Sequence, residues 1–350
     1  MESDPAIHSA TNKEMPFSFT GQTGEYFGIW IVNVLLIIVT LGIYTAWAKV
    51  RTKRYFYGHT ILDDSPFDYL ANPISLLIGW LIGMAIFITY SITIRFFPLF
   101  GALFALLIFL FIPWFVVRAM AFRLRNTAYH NIRFVFNKNF TEAALLYIGL
   151  PLLTPFTLGL IIPYIIYRQK QFLVKNSHYG QTPFDFTAGA GAFYKIAFIA
   201  LGIIVAAMIA FAVLAGIIGG IAAAGTKLDP AIIQAAGMLP VFLIYFFMFA
   251  YWQTAITNLL WSSIQLDQHQ FRSSLKVSYM LWLYFSNTLA MLCSLGLLIP
   301  WARVRTTRYR LSKLSFIPGG DLNAFLAAKQ QEENAIGEEI GDIMDIDIGF

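Results

Sequence analysis

The chain has 350 residues, of which 58% are hydrophobic and 12% are charged. Soluble domains are typically about 45–50% apolar and about 25% charged. This composition excludes a soluble globular protein, because too few charged side chains are present to cover such a core. It also excludes an intrinsically disordered chain, which needs low hydrophobicity. We therefore predict an all-α polytopic membrane protein, in which helices satisfy the backbone polar groups.

Seven apolar segments are long enough to be membrane elements, since a helix needs about 20 residues to cross the hydrocarbon layer. Four of them are uninterrupted and are predicted as transmembrane helices, over residues 74–94, 97–117, 193–220 and 239–261. The other three contain Gly or Pro and run over residues 27–48, 143–167 and 276–301. Each of these three carries a Thr/Ser-Leu-Gly triplet, which predicts a broken or kinked helix.

The three broken segments are predicted to be copies of one unit. Residues 17–69 align without a gap on residues 134–186 with fourteen identities, and residues 40–55 align on a region that begins at Ser294. We therefore divide the chain into a polar N-terminal tail, membrane repeat 1, membrane repeat 2, a partial repeat 3 and an acidic cytoplasmic tail. Their bounds are 1–16, 17–133, 134–263, 264–320 and 321–350. Internal repeats are common in transporters, although they are not confined to them.

The distribution of basic residues favours one topology. If all seven segments cross, alternate loops hold 16 and 8 of the 24 Lys and Arg residues, and the repeats are inverted. If the three broken segments instead re-enter on one side, 22 of the 24 fall on that side. The second arrangement agrees better with the positive-inside rule. It predicts four true spans, three re-entrant hairpins and two cytoplasmic termini, and seven crossings are the alternative.

A motif of Trp, two Arg and Tyr on one face of a predicted helix occurs twice. Its members are Trp47, Arg51, Arg54 and Tyr55 in the first copy and Trp301, Arg305, Arg308 and Tyr309 in the second. One interpretation is interfacial anchoring, in which Trp and Tyr lie among the lipid headgroups. The other is a site for an anionic headgroup or solute, because Arg binds phosphate and carboxylate in two-pronged geometry. In the second unit only Arg168 and Lys170 are retained.

The three triplets also have two interpretations. They are kinks that turn the backbone, or they line a solute path. Irregular backbone at membrane depth is tolerated only where protein buries it or water reaches it. The candidate path residues are Thr40, Gly42, Thr157, Gly159, Ser294 and Gly296.

No pattern in the sequence predicts a catalytic, cofactor-binding or metal site. Cys293 is the single cysteine, the five histidines are scattered, and neither a phosphate-binding Gly loop nor a Ser/His/Asp arrangement is found. We therefore expect no enzyme and no cofactor. The expected partners are membrane lipids, chiefly anionic ones, and not nucleic acid. The Gly79-x-x-x-Gly83 pattern is compatible with a homo-oligomer.

Three motifs together resemble the YjgN-type membrane proteins of bacteria. They are Phe17-x-Phe19-x-Gly21 leading to Glu25-Tyr26-Phe27, then Leu41-Gly42-Ile43-Tyr44-x-x-Trp47-x-Lys49-x-Arg51-x-x-Arg54-Tyr55, and the closing Asp345-Ile346-Asp347-Ile348-Gly349. The resemblance implies a multi-pass protein of the bacterial inner membrane. It implies no mechanism and no catalytic residues, because the family has no assigned function.

Two functions remain open from the sequence. The first is a pore or solute transporter in which the broken helices line a path. The alternative is a non-transporting membrane scaffold or a binder of anionic lipid headgroups. No residue pattern supports a membrane enzyme.

Overall fold

The computed structural model describes residues 14–223, 229–320 and 325–329. The predicted tails, 1–16 and 321–350, therefore lie mostly outside the described residues. Ten helices form the larger part of what is described, besides one helical turn at residues 325–329. Their bounds are α1 Thr23–Val39, α2 Thr45–Gly58, α3 Pro73–Phe96, α4 Pro98–Arg125, α5 Phe140–Leu152, α6 Ile162–Lys175, α7 Ala190–Ala223, α8 Pro230–Ser262, α9 Val277–Cys293 and α10 Ile299–Ser312.

Consecutive helices pack in pairs, which we number as hairpins 1 to 5 from α1–α2 to α9–α10. Hairpins 2 and 4 are long and apolar. Their helices include the four candidate membrane spans, Pro73–Phe96, Pro98–Arg125, Ala190–Ile217 and Pro240–Ser262. These spans coincide with the four uninterrupted segments of the sequence, and they agree with a polytopic membrane protein. The helices are largely exposed, as expected where lipid rather than protein covers them.

Hairpins 1, 3 and 5 are shorter, and each bends at its Thr/Ser-Leu-Gly triplet. In hairpins 1 and 5 the triplet directly follows the first helix and ends it, because its Leu and Gly adopt the left-handed conformation, with φ of 50° and 93° at Leu41 and Gly42. The Gly42 amide then donates to the Ile37 carbonyl oxygen at 2.8 Å, which closes a Schellman-type turn. The other two triplets have closely similar φ angles, and their residues are Leu158, Gly159, Leu295 and Gly296.

The prediction of an all-α fold was wrong, because eleven short strands form one antiparallel sheet. Their bounds are β1 Met15–Pro16, β2 Ser18–Phe19, β3 Thr60–Leu62, β4 Ser65–Tyr69, β5 Thr127–Tyr129, β6 Ile132–Phe136, β7 Ser177–Tyr179, β8 Thr182–Phe186, β9 Ile264–Leu266, β10 His269–Ser273 and β11 Leu314–Ile317. Strands of two to five residues carry too little alternation to be recognised beside long apolar segments.

Tight two-residue turns connect several of these strands. Asp63 and Asp64 form the turn between β3 and β4. Their φ angles are 48° and 54°, and the favoured two-residue hairpin turn requires such positive values. His130 and Asn131 do the same between β5 and β6, with φ of 49° and 63°. Asn and Asp tolerate this conformation better than most residues, so the turn chemistry was present in the sequence.

The sheet closes on itself to form a small barrel. Its strand order runs from β1 through β11, β10 and so on to β3 and β2. The two terminal strands are separated only by Phe17, whose amide donates to the Leu314 carbonyl oxygen at 3.0 Å. Closure removes the exposed strand edges on which other chains could pair. Phe17, Ile132 and Phe316 are among the buried residues of the barrel core.

The helices form a ring of successive packing contacts. Each helix packs on the one before it and the one after it in the chain, and α10 packs on α1 to complete the ring. A strand pair or strand connects the end of each hairpin to the next element, so all ten helices begin or end at the barrel. The five hairpins therefore share one base.

Candidate functional site

A partly open cavity of about 450 Å³ lies where the helix ring meets the barrel. Side chains from the last turns of α2, α4, α6 and α8 form one part of its wall, and the barrel interior forms the rest. The lining residues include Phe17, Leu62, Arg123, Thr127, Tyr129, Phe134, Lys170, Ser177, Tyr179, Trp261, Leu266, Phe316, Phe325 and Leu326. The volume is within the usual range of small-molecule sites, about 300–1,000 Å³.

The polar atoms of the barrel wall are largely occupied by the protein itself. The Tyr129 hydroxyl donates to the Leu62 carbonyl oxygen at 2.7 Å, and the Tyr179 hydroxyl donates to the Tyr129 carbonyl oxygen at 3.0 Å. The Ser177 hydroxyl donates to the Leu173 carbonyl oxygen at 2.6 Å. The cavity consequently presents aromatic and aliphatic surface over most of its wall.

Two cations interrupt this apolar wall. Arg123 lies in the last turn of α4, and Lys170 lies in α6. Neither charged group forms a hydrogen bond or ion pair with another described residue. Burial lowers the pKa of the Lys170 ammonium below its ordinary value. Lys170 was among the predicted binding residues, whereas Arg123 was missed, because no motif marks it.

The C-terminal helical turn closes the other side of the cavity. Leu326 is buried in the barrel core, and the Phe325 ring lies 6.3 Å from the Tyr179 ring and 4.8 Å from the His269 ring, measured between centroids. His269 is itself buried, and burial lowers the pKa of its imidazole although Asp267 opposes this shift. The neutral ring therefore offers a predominantly apolar surface to Phe325.

The triplet hydroxyls are engaged within their own turns. Thr40 Oγ1 donates to the Leu36 carbonyl oxygen at 2.7 Å and accepts from the Tyr44 amide at 3.0 Å. In hairpin 5, Ser294 Oγ donates to the Met291 carbonyl oxygen at 3.3 Å and accepts from the Leu298 amide at 3.0 Å. Thr157 donates to carbonyl oxygens of its own turn in hairpin 3. The neighbouring Leu41, Leu158 and Leu295 are 91–95% exposed. These residues therefore lie at the hairpin tips, far from the cavity at the base.

The six predicted binding cations lie on three different hairpins, two each on α2, α6 and α10. Most of them bind groups of the protein. Arg54 donates to the Tyr69 and Ala71 carbonyl oxygens, Arg168 pairs with Glu142 at 3.4 Å, and Arg308 donates to the Gly21 carbonyl oxygen at 2.9 Å. Arg305 donates to Ser286 and Asn287 and lies over the Trp301 ring. Arg51 is exposed and has no such partner among the described residues.

The two motif tyrosines tie the bases of their hairpins. The Tyr55 hydroxyl accepts from the Gln22 amide at 2.7 Å, just before α1, and the Tyr309 hydroxyl accepts from the Lys276 amide at 3.2 Å, just before α9. Tyr55 is buried, and Tyr309 packs on Tyr279 with ring centroids 4.1 Å apart. In both cases the phenol satisfies a helix N-terminal amide that would otherwise lack a partner.

The tryptophans of the motif do not share that contact. The Trp47 ring stacks on Tyr44 with centroids 6.1 Å apart, close to the tip of hairpin 1. Trp301 supports Arg305 through a cation–π contact of 5.0 Å. No group of three or more His, Cys, Asp or Glu side chains suited to a metal ion occurs within the part of the chain that the structure describes.

Comparison with known proteins places these features in a family. The profile of a family of bacterial proteins of unknown function (DUF898) matches residues 14–343. One relative is the inner membrane protein YjgN of Salmonella typhimurium, which is 33% identical over 46% of this chain and 40% of its own length. Another is the inner membrane protein YjgN of Escherichia coli K12, which is 30% identical over 35% of this chain and 31% of its own length. The chain thus aligns with less than half the length of these relatives. No solved structure matches it. Because the profile covers nearly the whole chain, the protein belongs to this YjgN-type family of bacterial inner-membrane proteins of unassigned function.

Proposed function

We propose that the protein is a pore or solute transporter whose path passes between the helix ends and through the barrel. The observation that carries this proposal is the cavity where the two meet, walled by helix ends and barrel strands. A cavity lined by the ends of several helices and by the interior of a barrel is one of the parts that a protein-lined path needs. In this proposal Phe325 and Leu326 close the path on the barrel side.

The proposed membrane placement puts the barrel on the cytoplasmic face. Hairpins 2 and 4 then cross the bilayer, whereas hairpins 1, 3 and 5 enter it and return. At about 1.5 Å per residue, the 17 residues of α1 reach about 25 Å, which is less than the hydrocarbon thickness of about 30 Å. The basic residues near the barrel support this orientation through the positive-inside rule. The shared turn geometry of the three short hairpins supports their origin as repeats.

A second candidate function, binding of anionic lipid headgroups, is favoured by the state of Arg51. In hairpin 5 the equivalent Arg305 donates to Asn287 Oδ1 at 3.1 Å. In hairpin 1 the equivalent Asn33 Oδ1 is buried without a hydrogen-bond partner, and Arg51 is exposed instead. Arg51 is therefore available to a phosphate in the headgroup layer. The other arginines of the two Trp/Arg/Tyr motifs are not available, because they bind groups of the protein.

Blocking the cavity tests the path directly. The protein, with Cys293→Ser as background, is reconstituted into liposomes loaded with carboxyfluorescein, and release of the dye is followed. In Ser177→Cys, reaction with phenylmaleimide adds a ring inside the cavity, so we expect dye release to fall by more than half. Ser312→Cys is the matched control, because Ser312 is exposed at the end of α10 and does not line the cavity.

Two results of this experiment would contradict the proposal. One is dye release that phenylmaleimide leaves unchanged in Ser177→Cys although the cysteine has reacted completely. The other is no release above that of protein-free liposomes in any variant. Equal inhibition of the Ser312→Cys control would point to a general effect of the reagent on the protein.

A further inference from the structure

We propose that the cavity binds a single-chain amphipathic anion, with its anionic group at Arg123 and Lys170 and its apolar chain against the aromatic wall of the barrel. The inference shares one element with the proposed function, because the same cavity lies on the proposed path. Binding does not itself require transport, so the two can fail separately.

The charge of the cavity wall is the first argument. Arg123 and Lys170 both line it, and none of its described lining residues is Asp or Glu. Two cations on different hairpins thus face one small volume without a counter-charge. Lys170 is half-buried and Arg123 is exposed, and a half-buried charge is costly unless it is paired. An anionic group in the cavity would supply the partner that the chain does not, and the Arg fork suits carboxylate or phosphate oxygens.

The apolar part of the wall is the second argument. The barrel contributes side chains such as Phe134, Phe184, Leu266 and Phe316. The hydroxyls of its two lining tyrosines, Tyr129 and Tyr179, are already occupied by carbonyl oxygens of the protein. A site of this kind does not suit an inorganic anion or a sugar, whose polar groups would lose water without replacement. It suits a hydrocarbon chain, since each buried methylene contributes about 0.8 kcal/mol.

The size of the cavity limits the ligand further. A volume of about 450 Å³ lies in the lower half of the range for small-molecule sites. We therefore assign a ligand with one chain rather than a phospholipid with two. A fatty carboxylate and a lysophospholipid share this chemistry, and they differ in the size and charge of the head.

Equilibrium binding of radiolabelled dodecanoate to the full chain, purified in a maltoside detergent, tests the inference. Unlabelled dodecanoate should compete, whereas dodecanol, which has the same chain without a charge, and acetate, which has the charge without the chain, should compete at least about tenfold more weakly. Competition by lysophosphatidylglycerol distinguishes a lysophospholipid ligand from a fatty carboxylate. Stronger competition by it than by dodecanoate identifies a lysophospholipid head, and weaker competition identifies a free carboxylate.

Variants locate the anionic group. Arg123→Gln and Lys170→Gln should each raise the dissociation constant of dodecanoate by about tenfold, and the pair should raise it further. Arg125→Gln is the matched control on the same helix, because Arg125 is exposed and does not line the cavity. Ser177→Trp, which fills the cavity, should abolish binding. Unfolding temperatures of all variants separate lost binding from lost folding.

Three outcomes would overturn the inference. They are dodecanol competing as well as dodecanoate, both Gln variants behaving like Arg125→Gln, and folded Ser177→Trp binding normally. Dodecanoate binding without dye release in liposomes would support the ligand site and contradict the path. Dye release without saturable dodecanoate binding would contradict the ligand site and leave the path supported.

Discussion

Replacing Phe325 and Leu326 together by alanine is expected to raise dye release from proteoliposomes by about tenfold or more. Both side chains line the cavity at its barrel end, and Leu326 is buried there. Burying a Leu or Phe side chain contributes about 1.5–3 kcal/mol, and about 1.4 kcal/mol corresponds to a tenfold shift in an equilibrium. Losing both contacts should therefore move the C-terminal turn away from the barrel in a much larger fraction of molecules.

The neighbouring alanines provide the control for this prediction. Ala327 and Ala328 lie on the exposed side of the same helical turn. Changing both to glutamine alters the turn without removing a contact in the cavity, so dye release should stay at the wild-type rate. If Phe325→Ala with Leu326→Ala releases dye no faster than this control, these two residues do not close a path.

Replacing Phe17 by alanine should destabilise the whole protein rather than one hairpin. Phe17 is buried where the first and last strands of the barrel meet, and its ring lies 6.2 Å from that of Phe67. Truncation of a buried Phe to Ala typically costs about 3–5 kcal/mol. Because all five hairpins share the barrel as their base, we expect a drop of several degrees in the unfolding temperature measured in detergent.

Phe97→Ala is the matched control for the barrel variant. Phe97 lies at the turn between α3 and α4 and is 61% exposed. The same chemical change there removes a contact with lipid or detergent rather than a core contact, so the unfolding temperature should hardly move. Equal losses at both positions would mean that closure of the barrel does not stabilise the fold.

The helical part of the fold could be predicted from the sequence because its signals are long and local. An uninterrupted apolar segment of about 20 residues identifies a span without any knowledge of its neighbours. The Thr/Ser-Leu-Gly breaks were recognisable for the same reason, since Gly after a helix allows the left-handed turn observed at Gly42. The sequence could not show that these breaks form the tips of helical hairpins, because that depends on how each pair of helices packs together.

The barrel could not be predicted because its closure depends on contacts between distant parts of the chain. β1 pairs with β11, about three hundred residues away, and each strand has only two to five residues. Phe17-Ser18-Phe19 and Phe134-Val135-Phe136 alternate as strands do, but three residues are too few to identify a strand. The partner of Phe134, however, is Tyr179 in β7, which the sequence did not mark as a strand.

That cations line the cavity also could not be predicted from the sequence. The Trp/Arg/Tyr motif directed attention to Arg54, Arg305 and Arg308, which the structure ties to carbonyl, hydroxyl and amide oxygens of the protein. Arg123 carries no motif and lines the cavity. Whether a cation faces a cavity is decided by the packing of several hairpins, which no local pattern records.

Cysteine labelling tests most directly the central claim that one barrel, on the cytoplasmic side, carries all five hairpins. Single cysteines are placed on a Cys293→Ser background at Ser18 in the barrel, Phe97 at the tip of hairpin 2, Leu158 at the tip of hairpin 3 and Ser312 at the base of hairpin 5. With an impermeant thiol reagent outside intact cells, only Phe97→Cys should react. In inside-out vesicles Ser18→Cys and Ser312→Cys should react, and Leu158→Cys should react in neither. Labelling of Ser18→Cys or Leu158→Cys from outside would contradict the account, because the short hairpins would then cross the membrane.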